Sequence, residues 1–318
     1  MKAAIVHGLG QTPVYGDFAE PEPTSGEVLV TVAASALSQL ARGRASGAHY
    51  SASGAFPFVA GVDGIGRLDD GRRVYFVLPD APFGAMAERT VVPAAHCVPV
   101  PHGLDDVTAA AIANPGMSSW AALVERARLQ PGETVLVNGA TGASGRLAVQ
   151  IARHLGAGKV IATGRNVEAL EEAAALGADV TIALRGDEAT LEARFREQFA
   201  GGVDVVLDYL WGTSARGLLI AAAKAGAEAV PVRFVQIGSV SGQDVALPAA
   251  VLRASAIELM GSGIGSIKFD RLVAAVDGVL RAAIPGGFRI ATRTVPLSQV
   301  EQAWRDKDGA GRIVFTAA

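Results

Sequence analysis

A single cysteine, Cys97, stands in the 318 residues. That excludes an intrachain disulfide and any structural zinc site built on thiolates. Excess charge is missing too: 28 Lys and Arg against 31 Asp and Glu leave a formal net charge of −3. No basic footprint for nucleic acid or another polyanion is present. Long apolar runs are also lacking. The opening run Ala3-Ala4-Ile5-Val6 is too short for a signal-peptide core, and Leu218 to Val235 is broken by Lys224, Glu228 and Arg233. The expectation is a cytoplasmic protein with no membrane span and no nucleic-acid partner.

Several catalytic signatures are absent as well. Gly158-Lys159 is followed by Val160, so no phosphate loop of the Gly-Lys-Ser/Thr type exists, and there is no Gly-x-Ser-x-Gly elbow. None of the four tyrosines begins a Tyr-x-x-x-Lys pair. His96 and Cys97 are adjacent and have no partner at helical or hairpin spacing, so they read as structural residues at a strand end rather than as metal ligands.

What is present is a hydrophobic half, enough for a sizeable core, in a length that suits about two domains. Up to residue 114, short apolar runs (Ala3–His7, Val28–Ala33, Val74–Val77, Arg89–Val92) are separated by turns such as Pro21-Glu22-Pro23 and Asp69-Asp70-Gly71. This is the texture of an antiparallel β domain. Beyond it, apolar strands at Glu133–Asn138, Lys159–Thr163, Val180–Ala183, Val203–Asp208 and Phe234–Ile237 alternate with helical segments at Arg146–Leu155, Val167–Leu176, Glu188–Phe199 and Ser214–Ala225. Such alternation predicts βαβ units around a parallel sheet. Strand character returns at Phe288–Val295 and Arg312–Thr316, around a helix near Ser298–Arg305. The tail is expected to rejoin the first domain, with 1–114 and 267–318 forming one domain and 115–266 an insert.

The most informative stretch is Gly139-Ala140-Thr141-Gly142-Ala143-Ser144-Gly145, between an apolar strand and a helix. Gly142 lets a backbone approach a pyrophosphate, Gly145 permits close helix–strand packing, and the helix N-terminus offers N–H groups and a positive dipole. Ala140 occupies the first position of the G-x-G-x-x-G pattern, while Gly139 adds turn freedom. An ordinary tight βα turn is the competing reading; the strand–turn–helix–strand context favours a dinucleotide site. NAD-binding units place an acid about 20 residues on. Here Thr163-Gly164-Arg165-Asn166 stands there, with no acid before Glu168. A guanidinium pairs bidentately with a 2′-phosphate, and Gly164 leaves room for it, so NADPH is expected over NADH. The alternative for Arg165 is a solvated loop charge.

With these residues in place the whole chain resembles the medium-chain dehydrogenase/reductase superfamily, and within it the zinc-independent quinone oxidoreductase (zeta-crystallin-like) branch. The resemblance is carried by Gly26–Val30, by Pro57-Phe58-Val59-Ala60-Gly61-Val62-Asp63-Gly64-Ile65-Gly66 and by Phe83–Glu88. Further along it is carried by Leu129–Val137 before the glycine turn, Asp204–Asp208, Val235–Ser239 and Gly311–Val314. It implies a Rossmann-type parallel sheet domain inserted in a GroES-like, mainly antiparallel β catalytic domain, and a homodimer. Zinc-dependent relatives carry Cys near Ser38 and His near Val62, so the resemblance implies hydride transfer without a metal. The quinone-reductase branch usually has Asn near Ser38 and an aromatic residue near Leu184; Arg185 is expected to face the same phosphate instead.

The site follows from this frame. Ser118 falls where the family's Thr or Ser approaches the nicotinamide, with a helix N-cap as the competing role. Gly238, Ser239, Gly263, Ile264 and Gly265 follow the fifth and sixth strands, at the carboxyl edge where open α/β sheets bind ligands. Cofactor contacts are therefore expected at Ser118, Ala140, Thr141, Gly142, Ala143, Ser144, Gly145, Gly164, Arg165, Asn166 and these five. Ser38 and Tyr50 are the candidate catalytic residues, with His49 beside Tyr50; a surface loop is the other reading for the latter two. Asp63 is expected to cap backbone N–H groups in its turn. The expected reaction is reduction of a quinone or α,β-unsaturated carbonyl. The alternatives are an enoyl-thioester reductase, suggested by Ala113-Asn114-Pro115, and a catalytically idle NADPH-binding sensor or scaffold.

Overall fold

The computed structural model describes residues 1–47, 55–306 and 311–317. The chain divides into two compact units, Met1–Asn114 with Ala283–Ala318, and Pro115–Ala282. In the first, β1 (Lys2–Val6) pairs antiparallel with β2 (Val14–Asp17), and the ten-residue β3 (Glu27–Ala36) leads through Leu37 and Ser38 into α1 (Gln39–Ser46). The short β4 (Phe58–Val59) returns to β1. β5 (Asp63–Leu68), β6 (Arg73–Val77), β7 (Arg89–Pro93) and β8 (Cys97–Pro99) complete an antiparallel set around β3. β3 alternates faces, so Val30 and Val32 reach the core formed with Phe76, Ala85 and Val92. α2 (Asp106–Ala121) follows, and the change of unit falls inside it, at Pro115.

The second unit is a run of βα pairs. They are β9 (Thr134–Asn138), α3 (Ala143–His154), β10 (Lys159–Gly164), α4 (Val167–Ala175), β11 (Val180–Ala183), α5 (Glu188–Ala200), β12 (Val205–Asp208), α6 (Gly212–Ala225), β13 (Val232–Gln236), α7 (Ala249–Arg253), β14 (Ile257–Gly261) and α8 (Phe269–Ala283). The six strands form one parallel sheet in the order β11-β10-β9-β12-β13-β14. The order reverses at β9/β12, the doubly wound arrangement in which ligands bind beyond the strand carboxyl ends. Its central strands read as unbroken apolar runs because both faces are covered. On one face Leu136, Ile161, Val206 and Phe234 pack with Phe195 and Phe199 of α5 and Leu218 and Leu219 of α6.

The tail supplies β15 (Thr292–Pro296), α9 (Val300–Arg305) and β16 (Arg312–Thr316), and β16 pairs with β3 of the first unit. Where the sequence reading sets the return at 267, the compact units change at Ala283. The reason is α8, whose Leu272, Val276, Val279 and Leu280 are buried. A Cβ on Gly278 would meet the Trp120 ring at 2.5 Å, and one on Gly116 would meet Val279 at 2.7 Å, so glycines let α8 lie against the second half of α2. Phe288, expected at the start of a strand, is a buried residue ahead of β15. Among the described residues no helix is long and apolar enough to cross a membrane.

Candidate functional site

The glycine turn sits at the carboxyl end of β9, a fully buried run from Val135 to Asn138. Gly139 has φ +96°, in the left-handed region that favours glycine. A Cβ on Gly145 would be driven into Gly139 O and lie 2.6 Å from Ala140 Cα. Gly145 is thus the contact that seats α3 on β9. A Cβ on Gly142 would find nothing nearer than 4.0 Å, so that side of the turn is open. Gly142 is also the α3 N-cap and makes no side-chain cap bond, which leaves the first-turn N–H groups of Ala143, Ser144 and Gly145 to an outside acceptor. Ala140 is buried beneath. Open backbone, uncapped helix end and dipole together fit a pyrophosphate.

Gly164 ends β10, but the space beside it is not vacant: a Cβ there would clash with the Thr141 methyl and lie 3.1 Å from Thr141 Oγ1. The expected role of leaving room for a phosphate is corrected: Gly164 makes room for Thr141. Asn166 Oδ1 accepts the Ala169 N–H at 3.1 Å and caps α4. Arg165, between them, is exposed and lines a cavity of about 360 Å³ with Leu184, Leu191, Leu210, Thr213 and Ser214. Glu188 and Glu192 also lie on its wall, but Arg216 and Lys224 neutralise them at 2.9 and 2.6 Å. Arg185 Nε donates to Arg165 O at 2.8 Å, joining the loops after β10 and β11. A largely apolar lining with one guanidinium at its rim suits an adenosine bearing a phosphate.

Ser118 is not a helix N-cap. It lies inside α2 and donates through Oγ to Pro115 O at 2.7 Å. Its neighbour Ser119 is fully buried and shares a 2.8 Å hydrogen bond with the Tyr209 hydroxyl, and its Oγ also lies 3.3 Å from Ser144 O. Burial pushes the Tyr209 phenol up to about 12, so it stays a neutral hydrogen-bonding group. Neither residue was singled out by sequence reasoning; the only signal was a tyrosine directly after the polar end of a predicted strand. Gly238 packs its backbone on Tyr209, where a Cβ would meet Tyr209 O at 2.7 Å. Ser239 Oγ reaches Gln243 Oε1 at 3.3 Å, Gly263 N donates to Ser266 Oγ at 2.8 Å, Gly265 has φ +95°, and Ile264 is 39% exposed. All five predicted residues of this group lie in loops beyond β13 and β14.

In the first unit, Ser38 is the α1 N-cap, its Oγ accepting the Ala41 N–H at 3.0 Å. Val62 is buried. Neither position supplies a zinc ligand, and among the described residues no group of three His, Cys, Asp or Glu converges, so these side chains do not fit a metal site. Burial pushes the Cys97 thiol up to about 11. Tyr50 and His49 lie outside the described residues. Asp63 corrects another expectation. Its carboxylate is fully buried and is held by side chains, Tyr75 Oη donating at 3.1 Å and Asn114 Nδ2 at 3.2 Å, not by turn N–H groups. Burial outweighs the nearby Arg312 charge and raises its pKa to about 6.

Residues 143–280 match the family model for zinc-binding dehydrogenases. A probable NADPH-dependent quinone reductase of Emericella nidulans, tdiC, is 32% identical across 99% of this chain and 99% of its own length. A 2-haloacrylate reductase from Burkholderia sp. is 34% identical across 56% of each chain. Among solved structures, the quinone oxidoreductase of Thermus thermophilus, described with its NADPH complex, aligns over 100% of both chains with 30% identity and a TM-score of 0.83. On the full-length match and the shared fold, the chain belongs to the medium-chain dehydrogenase/reductase family, in its quinone oxidoreductase branch.

Proposed function

We propose that this protein is a zinc-independent NADPH-dependent oxidoreductase that reduces a quinone or an α,β-unsaturated carbonyl. The observation that carries the reading is the open, uncapped glycine turn together with the Arg165 cavity, on one sheet edge of a chain that matches a quinone reductase end to end. The family membership supports NADPH as cofactor. When bound, NADPH supplies the hydride. The chain's own residues then bind and orient: the first-turn N–H groups of α3 take the pyrophosphate, Arg165 the 2′-phosphate, and the loops at Gly238–Ser239 and Gly263–Gly265 the nicotinamide end. Ser118 stays at the nicotinamide in this reading, and Ser38 and Tyr50 remain the candidates for the substrate side. Without a metal, charge developing on the acceptor oxygen must be met by hydrogen-bond donors. That favours acceptors in which the charge is delocalised, as in quinones and enones.

In this reading the first unit is the catalytic and substrate domain and the second the cofactor domain. A homodimer and a cytoplasmic location belong to the same proposal. β14 supports the dimer: it is an edge strand of the parallel sheet, with Leu259 42% exposed. The likeness to a haloacrylate reductase agrees with an activated double bond as acceptor.

The test is turnover of NADPH and NADH with a panel of quinones, enones and enoyl thioesters, each with and without a metal chelator. Turnover of quinones or enones that resists the chelator is expected. Arg165→Ala should lower kcat/KM for NADPH by about ten- to hundred-fold, the value of a charged phosphate contact, with NADH little changed. Thioester turnover alone would replace the substrate assignment, and tight NADPH binding without turnover of anything would favour a sensor.

A further inference from the structure

Four adjacent strands of the parallel sheet carry a polar side chain at or next to their carboxyl ends, in one row. Thr163 on β10, Asn138 on β9, Asp208 on β12 and Gln236 on β13 are successive register partners. Two residues earlier on each strand stand Ile161, Leu136, Val206 and Phe234, all in the apolar core with α5 and α6. The period of two puts the polar row on that same face, at the rim of the core. Thr163, Asn138 and Asp208 have no solvent exposure. Polar groups buried this way are costly unless each is paired.

They are paired, and in one direction. Thr163 Oγ1 donates to Asn138 Oδ1 at 2.7 Å, and Asn138 Nδ2 donates to Asp208 Oδ1 at 2.7 Å and to Ser214 Oγ at 3.0 Å. The Asp208 carboxylate also accepts the N–H groups of Leu210 at 3.0 Å and Trp211 at 3.1 Å. Each end of the row is fastened to a wall of the candidate site. At one end Gly139 N donates to Thr163 O at 3.2 Å, with Thr163 Oγ1 at 3.4 Å. At the other, Asp208 holds the Leu210–Trp211 turn, where Trp211 sits at φ +57°. The ring then closes on itself, because a Cβ built on Gly139 would lie only 2.9 Å from Leu210 Cγ.

We propose that Thr163, Asn138 and Asp208 are positioning residues that lock the glycine turn and the Leu210–Trp211 turn into the one relative placement that accepts the cofactor's phosphates and adenosine. The inference rests on the reading that NADPH binds this turn. The row acts through hydrogen-bond direction: position 138 must both accept and donate, while position 208 must accept from three N–H groups. Asn138→Asp sets two carboxylates face to face. One oxygen ties the row to the turn, because the Asp208 Oδ1 that accepts from Asn138 Nδ2 also accepts the Leu210 and Trp211 N–H groups. Thr163→Ser keeps the hydroxyl that donates to Asn138 Oδ1, and Thr163→Val removes it.

The experiment compares wild type, N138D, Thr163→Ser and Thr163→Val for NADPH Kd, for KM of the cofactor against kcat, and for thermal midpoint. Amide exchange at Leu210 and Trp211 is read in the cofactor-free protein. N138D is expected to raise Kd about ten- to hundred-fold, the effect of stranding a buried polar group. T163S, which keeps the hydroxyl donor, should stay within about threefold of wild type. T163V should raise KM for NADPH with kcat at saturation kept. An N138D protein that folds and binds NADPH as wild type does would overturn the proposal, as would a T163S protein no tighter than T163V at a wild-type midpoint. If N138D does not fold, unchanged KM in T163V overturns it alone. Wild-type protein that binds neither nicotinamide cofactor defeats the cofactor reading instead; amide exchange unaltered in N138D and T163V then defeats the row separately.

Discussion

Asp63 has lost its water entirely and keeps two neutral donors, Tyr75 and Asn114. Its pKa near 6 lies above the ordinary 3.8, so the folded protein binds this proton more tightly than the unfolded chain does. Stability from this group is therefore greatest in acid and is lost as pH rises from about 4 through about 6, by on the order of 3 kcal/mol. Chemical denaturation of wild type and Asp63→Asn across that range should give a difference that grows with pH in favour of the variant. A difference that stays flat would remove the account. At this scale the sequence points to residues by their own chemistry. In the sequence, spacing alone drew attention to Arg165, whose side chain lines a cavity. It was a poor guide to Asp63, Ser119 and Tyr209, whose partners lie far away along the chain.

Among the elements, Gly164 and Thr141 show how two βα units share one surface. The end of β10 and the glycine turn after β9 approach so closely that the Thr141 methyl uses the volume a Gly164 side chain would need. Gly164→Ala should cost about 1–3 kcal/mol as an overpacked contact and weaken cofactor binding with it. Adding Thr141→Ser, which deletes the methyl, should recover part of that loss in a double-mutant cycle of urea midpoints. Strict additivity would place the strain elsewhere. Element identity was clear wherever the period was clean, as in β9, α3, β10 and β12. It failed for α2, where the N-cap role weighed for Ser118 falls on a residue inside the helix. Pro115 brings no N–H of its own, yet α2 continues through it to Ala121 and passes into a π-helical segment, Ala122–Ala127, while Ser118 Oγ donates to the Pro115 carbonyl.

At the scale of the molecule, β14 leaves a parallel sheet edge that pairs with no further strand among the described residues, with Leu259 and Ile264 exposed beside it. An edge of this kind invites pairing with a second copy. Size-exclusion chromatography should find a dimer, and Leu259→Lys should yield a folded monomer; a wild-type monomer at micromolar concentration would refute the assignment. Local chemistry was enough to determine the two textures of the chain, the glycine turn and the absence of a cysteine-based zinc site, because each depends on residues within one turn or one strand. Only the tertiary structure decided which side chains meet: that Asp63 answers to Tyr75 and Asn114, that α8 belongs with α2, and that three strand ends join into one hydrogen-bonded row. These pairings hang on register and packing between segments up to 163 positions apart, as Gly116 and Val279 are. Periodicity along a chain fixes which face a residue takes, but it carries no record of its neighbour across the sheet.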